Sequence, residues 1–79
     1  MSKEKIMAYI DVTIDADNDF NQELIEQILR DSINDEIKSR LKTPFCYDGE
    51  INYTRVYCED TLRSGEVFKY YRYTTSIWV

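Results

Sequence analysis

One alternating run near the start of the chain limits what it can fold into. Ile6, Ala8, Ile10, Val12 and Ile14 alternate with Met7, Tyr9, Asp11, Thr13 and Asp15. Strand side chains point to opposite faces at each step, so this pattern predicts a strand with one buried face and one wetter face. The period then changes. Phe20, Leu24, Ile25, Ile28, Leu29, Ile33, Ile37 and Leu41 recur at the spacing of an amphipathic helix. A strand with one apolar face and a helix with one apolar stripe are buried most simply against each other.

The helix ends are marked. Asp17, Asp19 or Asn21 can serve as N-cap, and Asp19 with Gln22 fits a loose capping box. Lys38, Arg40 and Lys42 suit the negative end of the helix dipole, and Pro44 stops the helix. Several apolar positions repeat at i+4, which drifts around an ideal helix. The helix is therefore expected to curve or break near Asp31–Asp35, where Ser32 and Asn34 resemble second caps.

After the Asp48-Gly49 turn signal, a second strand is expected from Ile51 to Cys58. A hairpin loop follows from Glu59 to Glu66, then a third strand from Val67 to Val79. The fold class is α+β, in the order βαββ. It forms a three-stranded, mostly antiparallel sheet under one helical layer, with residues 1–79 as one domain. If the first and second strands lie parallel, their crossover is right-handed. One helical layer leaves the other sheet face open to solvent or a partner.

A chain of 79 residues has a thin core. A cleft for a drug-sized ligand, roughly 300 Å³ or more, would hollow it out. There is no histidine, which removes the commonest general base and every Ser-His-Asp or Cys-His arrangement. The expectation is that the chain is not an enzyme and takes no cofactor. Cys46 and Cys58 are expected to be reduced and packed, and without histidine they cannot complete a structural zinc site. No apolar run suits a membrane span and no export signal is visible, so a cytoplasmic location is expected.

Charge is divided unevenly. The net charge is −5, but residues 1–36 hold ten acids against three bases, and residues 37–79 hold five acids against seven bases. Asp11, Asp15, Asp17 and Asp19 sit at the strand–helix junction, and Glu23, Glu26, Asp31, Asp35 and Glu36 continue the acidic run along the helix. Such a field attracts a basic protein surface, including one that binds nucleic acid. A solvated helix face with a Glu26–Arg30 i,i+4 pair accounts for the same residues without a partner.

Residues Asp15 to Glu26 resemble an EF-hand loop in part, with acids at its first, third, fifth and twelfth positions. Phe20 stands where that loop needs glycine, and a strand precedes it instead of a helix. A calcium-stabilised domain is thus one alternative, and an acidic helix start accounts for the string as well.

Most of the seven tyrosines fall in the strands. Tyr9, Tyr53, Arg55, Tyr57, Tyr70 and Arg72 are expected together on the open sheet face. Such a set suits a protein interface or stacking of single-stranded bases. It also suits plain cross-strand stabilisation. The chain's acidity argues against nucleic acid, since phosphate contacts dominate that affinity. In size and charge the chain is similar to small viral inhibitors of the anti-CRISPR or anti-restriction kind, though no motif carries that likeness. The leading expectation is an acidic inhibitor or adaptor that occupies a partner's basic surface, with a homodimer through the open face as a second partner type. The alternative from another class is a single-strand nucleic-acid binder.

Overall fold

Lys5–Thr13 forms strand β1, and its alternation becomes a buried row of Ile6, Ala8 and Val12. Met7 and Tyr9 point the other way and are exposed. The computed structural model describes residues 3–79. After β1 the chain makes a 3₁₀ turn at Asp17–Asp19 and enters helix α1, Gln22–Leu41. The cap is Asn21, whose side chain accepts a hydrogen bond from the Leu24 N–H at 2.8 Å. The helix ends at Lys42, which takes a left-handed conformation (φ 50°) two residues before Pro44.

The helix does not break near Asp31–Asp35. Ile25, Leu29, Ile33 and Ile37 are all buried, so the i+4 row stays against the sheet along the whole helix. Asn34 caps nothing. Its Oδ1 accepts from the Tyr47 N–H at 2.7 Å, and its Nδ2 donates to the Tyr47 carbonyl at 3.2 Å. Arg30 likewise donates to the Gly49 carbonyl at 2.7 Å. These bonds lay the returning segment along α1 and seat Ile51 in the core. A Cβ on Gly49 would lie 2.6 Å from the Tyr47 hydroxyl, so the close fit of that ring needs glycine.

Strand β2 is Tyr53–Thr61 and strand β3 is Val67–Trp78. β2 thus starts and ends later than the Ile51–Cys58 expected: Ile51 is a core residue of the loop, and strand pairing continues through Thr61. The turn spans Leu62 to Glu66, closed by Leu62 N–H to Glu66 at 2.8 Å, with Gly65 at φ 90°. Cys46 is exposed and Cys58 half-buried, both free, so the expected packing of Cys46 is not realised.

The sheet order is β1-β3-β2, and both pairings are antiparallel. β1 and β2 are therefore not neighbours. α1 packs mainly over β1, and less over β3. The core joins Ile6, Ala8, Val12, Ile25, Leu29, Ile33, Ile37, Ile51, Tyr73 and Ile77. Ile6, Leu29, Ile33 and Ile37 are fully buried, each contributing roughly 1.5–3 kcal/mol of burial. Past the Thr13–Tyr70 pair, β2 and β3 continue as a two-stranded arm, exposed from Glu59 to Lys69.

Backbone parity follows from one pair. Glu4 and Val79 exchange both backbone hydrogen bonds, at 2.9 and 3.0 Å. Antiparallel bonding alternates along the register, so odd-numbered residues of β3 bond to β1 and even-numbered ones to β2. It follows that Lys5, Met7, Tyr9, Asp11 and Thr13 turn their backbone groups away from the sheet at one edge. Tyr53, Arg55, Tyr57, Glu59 and Thr61 do so at the other.

Candidate protein-binding surfaces

The register separates the tyrosines and arginines expected on one face. On the side of α1 lie Tyr53, Arg55 and Tyr57, opposite Thr75, Tyr73 and Tyr71. On the open side lie Tyr9 and Arg72, with Asp11 paired to Arg72, and Tyr70 paired to Cys58. The set Tyr9, Tyr53, Arg55, Tyr57, Tyr70 and Arg72 is thus not one surface. Strand period alone could not show this, because the shared face depends on inter-strand register.

The open face is broad and mixed. Met7 (55% exposed), Tyr9 (58%), Val56 (52%) and Trp78 (62%) stand out from it. Arg72 lies 4.5 Å from the Tyr9 ring centroid, and Lys5 lies 6.0 Å from that of Trp78. Tyr70 is buried among its own neighbours, with its ring centroid 5.5 Å from that of Phe68. The Asp60 carboxylate beside Tyr70 pushes its phenol up from the ordinary value. Met7 and Trp78 belong to this exposed face, as the alternation already implied for Met7 on the wetter face of β1.

On the other side, Tyr73 donates to the Asp17 carboxylate at 2.5 Å. Arg55 sits 3.8 Å from Asp17 and 4.5 Å from the Tyr71 ring centroid. Burial, and then the Asp17 carboxylate, push the Tyr73 phenol up. The Tyr73 hydroxyl beside Arg55 contributes most to raising the guanidinium. Asp17 is thereby the clasp that holds the 3₁₀ turn on the sheet. Tyr57 donates to Glu59 at 2.7 Å, and its phenol is pushed up to about 12. These shifts reinforce the charge states already held at neutral pH and create no free base or nucleophile there.

The acidic run divides in the same way. Asp11 is held by Arg72 and Asp17 by Tyr73 and Arg55. Asp15, Asp19, Glu23, Glu26, Asp31, Asp35 and Glu36 make no ion pair among the described residues. The Glu26–Arg30 pair does not form. Glu26 instead accepts from Gln22 at 3.1 Å, while Arg30 is turned to the Gly49 carbonyl. Asp31 accepts from Gln27 at 2.9 Å. Neutral glutamines leave both negative charges uncompensated. Asp35 and Glu36 border an open groove of about 320 Å³ beside Met7 and Tyr9.

The calcium-like string is dispersed between the 3₁₀ turn and the first turns of α1. Among the described residues, no group of three or more acidic, cysteine or histidine side chains is placed to hold a metal ion. No helix there is long and apolar enough to cross a membrane. Compared with known protein families, curated proteins and solved structures, the chain matches none.

Proposed function

We propose that the chain works as a protein-binding inhibitor or adaptor whose acidic helix docks on a basic surface of another protein, such as one that binds nucleic acid. The observation that carries this reading is the number of carboxylates without ion pairs on α1 and its approach: Asp15, Asp19, Glu23, Glu26, Asp31, Asp35 and Glu36. Of the bases around it, Arg30 is turned to a loop carbonyl, Arg72 to Asp11 and Arg55 to the Asp17 clasp, while Lys38, three residues after Asp35 on the same helix, makes no ion pair among the described residues. Uncompensated charge concentrated on one element steers a partner of opposite sign, and that attraction weakens with salt.

The single-strand nucleic-acid reading has less support. Its aromatic and basic residues lie on two faces, and Arg72 already has a carboxylate partner. The deciding experiment compares wild type with a chain carrying Asp15→Asn, Asp19→Asn, Glu23→Gln and Glu26→Gln. Both are used for affinity capture from lysate at low and high salt. Loss of a salt-sensitive basic protein from the variant supports the reading. Unchanged capture by the variant overturns the acidic edge, and enrichment of RNA or single-stranded DNA favours the alternative.

A further inference from the structure

The two free sheet edges are not equivalent. Beside β1, Asp35 and Glu36 of α1 border the groove that also takes in Met7 and Tyr9. A second copy laid antiparallel on this edge would bring like charges together. The β2 edge lies on the far side of β3 from β1 and from the bulk of α1. It contains no proline or lysine, and its charges are one base and two acids, Arg55, Glu59 and Asp60, which a second antiparallel copy can set against one another. Val56 and Tyr57, at its middle, are 52% and 48% exposed.

We propose that β2 is a homodimer interface, in which two copies pair their β2 strands antiparallel about a two-fold axis at Tyr57. The two sheets would then join into one. The occupant follows from charge and register. Overlap of the whole strand Tyr53–Thr61 sets Tyr57 opposite Tyr57 of the second copy, and Tyr53 opposite Thr61. The same overlap sets Arg55, which keeps 54% of its side chain exposed beside Asp17, opposite Glu59 of the second copy, whose carboxylate has a second oxygen besides the one that accepts from Tyr57, twice by symmetry. Cross-strand pairs of opposite charge stabilise a sheet.

Backbone parity agrees with this register. Tyr53, Arg55, Tyr57, Glu59 and Thr61 are the residues whose N–H and C=O groups point outward, and they are the ones that meet. A slip of one residue sets outward groups against inward ones. A slip of two keeps the backbone bonds but separates Arg55 from Glu59 and shortens the overlap. On the open face, Val56 meets Cys58 of the second copy. The acidic helices remain over the outer strands, so the net charge of each copy does not oppose the contact at its centre.

Sedimentation velocity from micromolar to millimolar protein tests the proposal. Wild type is expected to move toward twice the monomer mass as concentration rises. Arg55→Glu and Glu59→Arg, each alone, set like charges opposite one another and should weaken self-association about tenfold or more, since two equivalent pairs are lost. An equal mixture of the two variants restores opposite charges at both positions and should dimerise again. So should the double variant Arg55→Glu/Glu59→Arg. Tyr57→Pro removes an outward N–H without touching the β3 ladder, and should leave the circular dichroism spectrum folded while abolishing the dimer. A wild type that stays monomeric throughout, or a mixture that fails to regain association, overturns the proposal. Should either single variant not fold, the double variant and Tyr57→Pro decide it.

Discussion

Arg72 grips Asp11 across the open sheet face with two hydrogen bonds, from Nε at 2.8 Å and from Nη2 at 3.0 Å. The two residues are register partners on β3 and β1, at a non-hydrogen-bonded position where opposing side chains come closest. The guanidinium also lies against Tyr9, 4.5 Å from its ring centroid. A carboxylate that the sequence offers to a partner is thus already used to lock β1 to the central strand.

The pair makes a pH prediction. The Arg72 hydrogen bonds, together with its charge, hold the Asp11 carboxyl below its ordinary value. A lowered folded-state value gives stability that is complete above the unfolded value of about 3.9 and is lost as pH falls through the folded one. Thermal melts of wild type and Asp11→Asn should therefore differ most at neutral pH and converge in strong acid. The site is more than a third exposed, so the difference should be small. A gap that stays constant with pH would show that Asp11 acts by packing alone.

Tyr57 makes the alkaline counterpart. Its phenol, pushed up to about 12 chiefly by the hydrogen bond to Glu59, should give a late step in an ultraviolet titration. Glu59→Gln should bring that late step down toward the ordinary value of about 10. Because the raised group is neutral in its favoured state, its stabilising effect is present below about pH 10 and declines as pH rises toward about 12. An unchanged titration curve in Glu59→Gln would contradict the assignment.

Leu29→Ala tests the thin core. Leu29 is fully buried among the helix and strand side chains, so truncation should cost about 2–5 kcal/mol. A domain of this size has total stability on the order of 5–15 kcal/mol, so a large share would be lost. Urea unfolding followed by circular dichroism measures it, and a loss below about 1 kcal/mol would mean the helix is not packed as described.

Asn34→Ala tests the return loop. Both polar atoms of Asn34 are spent on the Tyr47 backbone, and removing them should cost about 1–3 kcal/mol. The loss should be non-additive with Gly49→Ala, because both changes release the same loop from α1. Additive losses in urea would uncouple the two positions.

Asn34 also shows where sequence reading reaches its limit. Within Asp31–Asp35, Ser32 and Asn34 look like caps, and a local reading breaks the helix there. The side chain serves a segment thirteen residues later, and no local pattern reveals that partner. Period was a sound guide within one element: Ile6, Ala8 and Val12 form a buried row, and so do Ile25, Leu29, Ile33 and Ile37. Between elements it failed. Tyr57 and Tyr70 were expected on one face, yet the register sets Tyr57 opposite Tyr71 and Tyr70 opposite Cys58. The acids of α1 were legible from composition. Which of them stay uncompensated was not, because Asp11 and Asp17 find their arginines at distant positions in the chain.

The middle strand of the sheet is the last of the three in chain order. β1 and β2 bond only to β3, so during synthesis neither has a strand partner until Val67–Trp78 has left the ribosome. Lys5 must then find Trp78, a loop closure spanning nearly the whole described chain. Such closures slow folding, and both waiting strands expose unpaired backbone meanwhile. Sheet formation is therefore a nearly all-or-none event that waits for β3, the last of the three strands to be made.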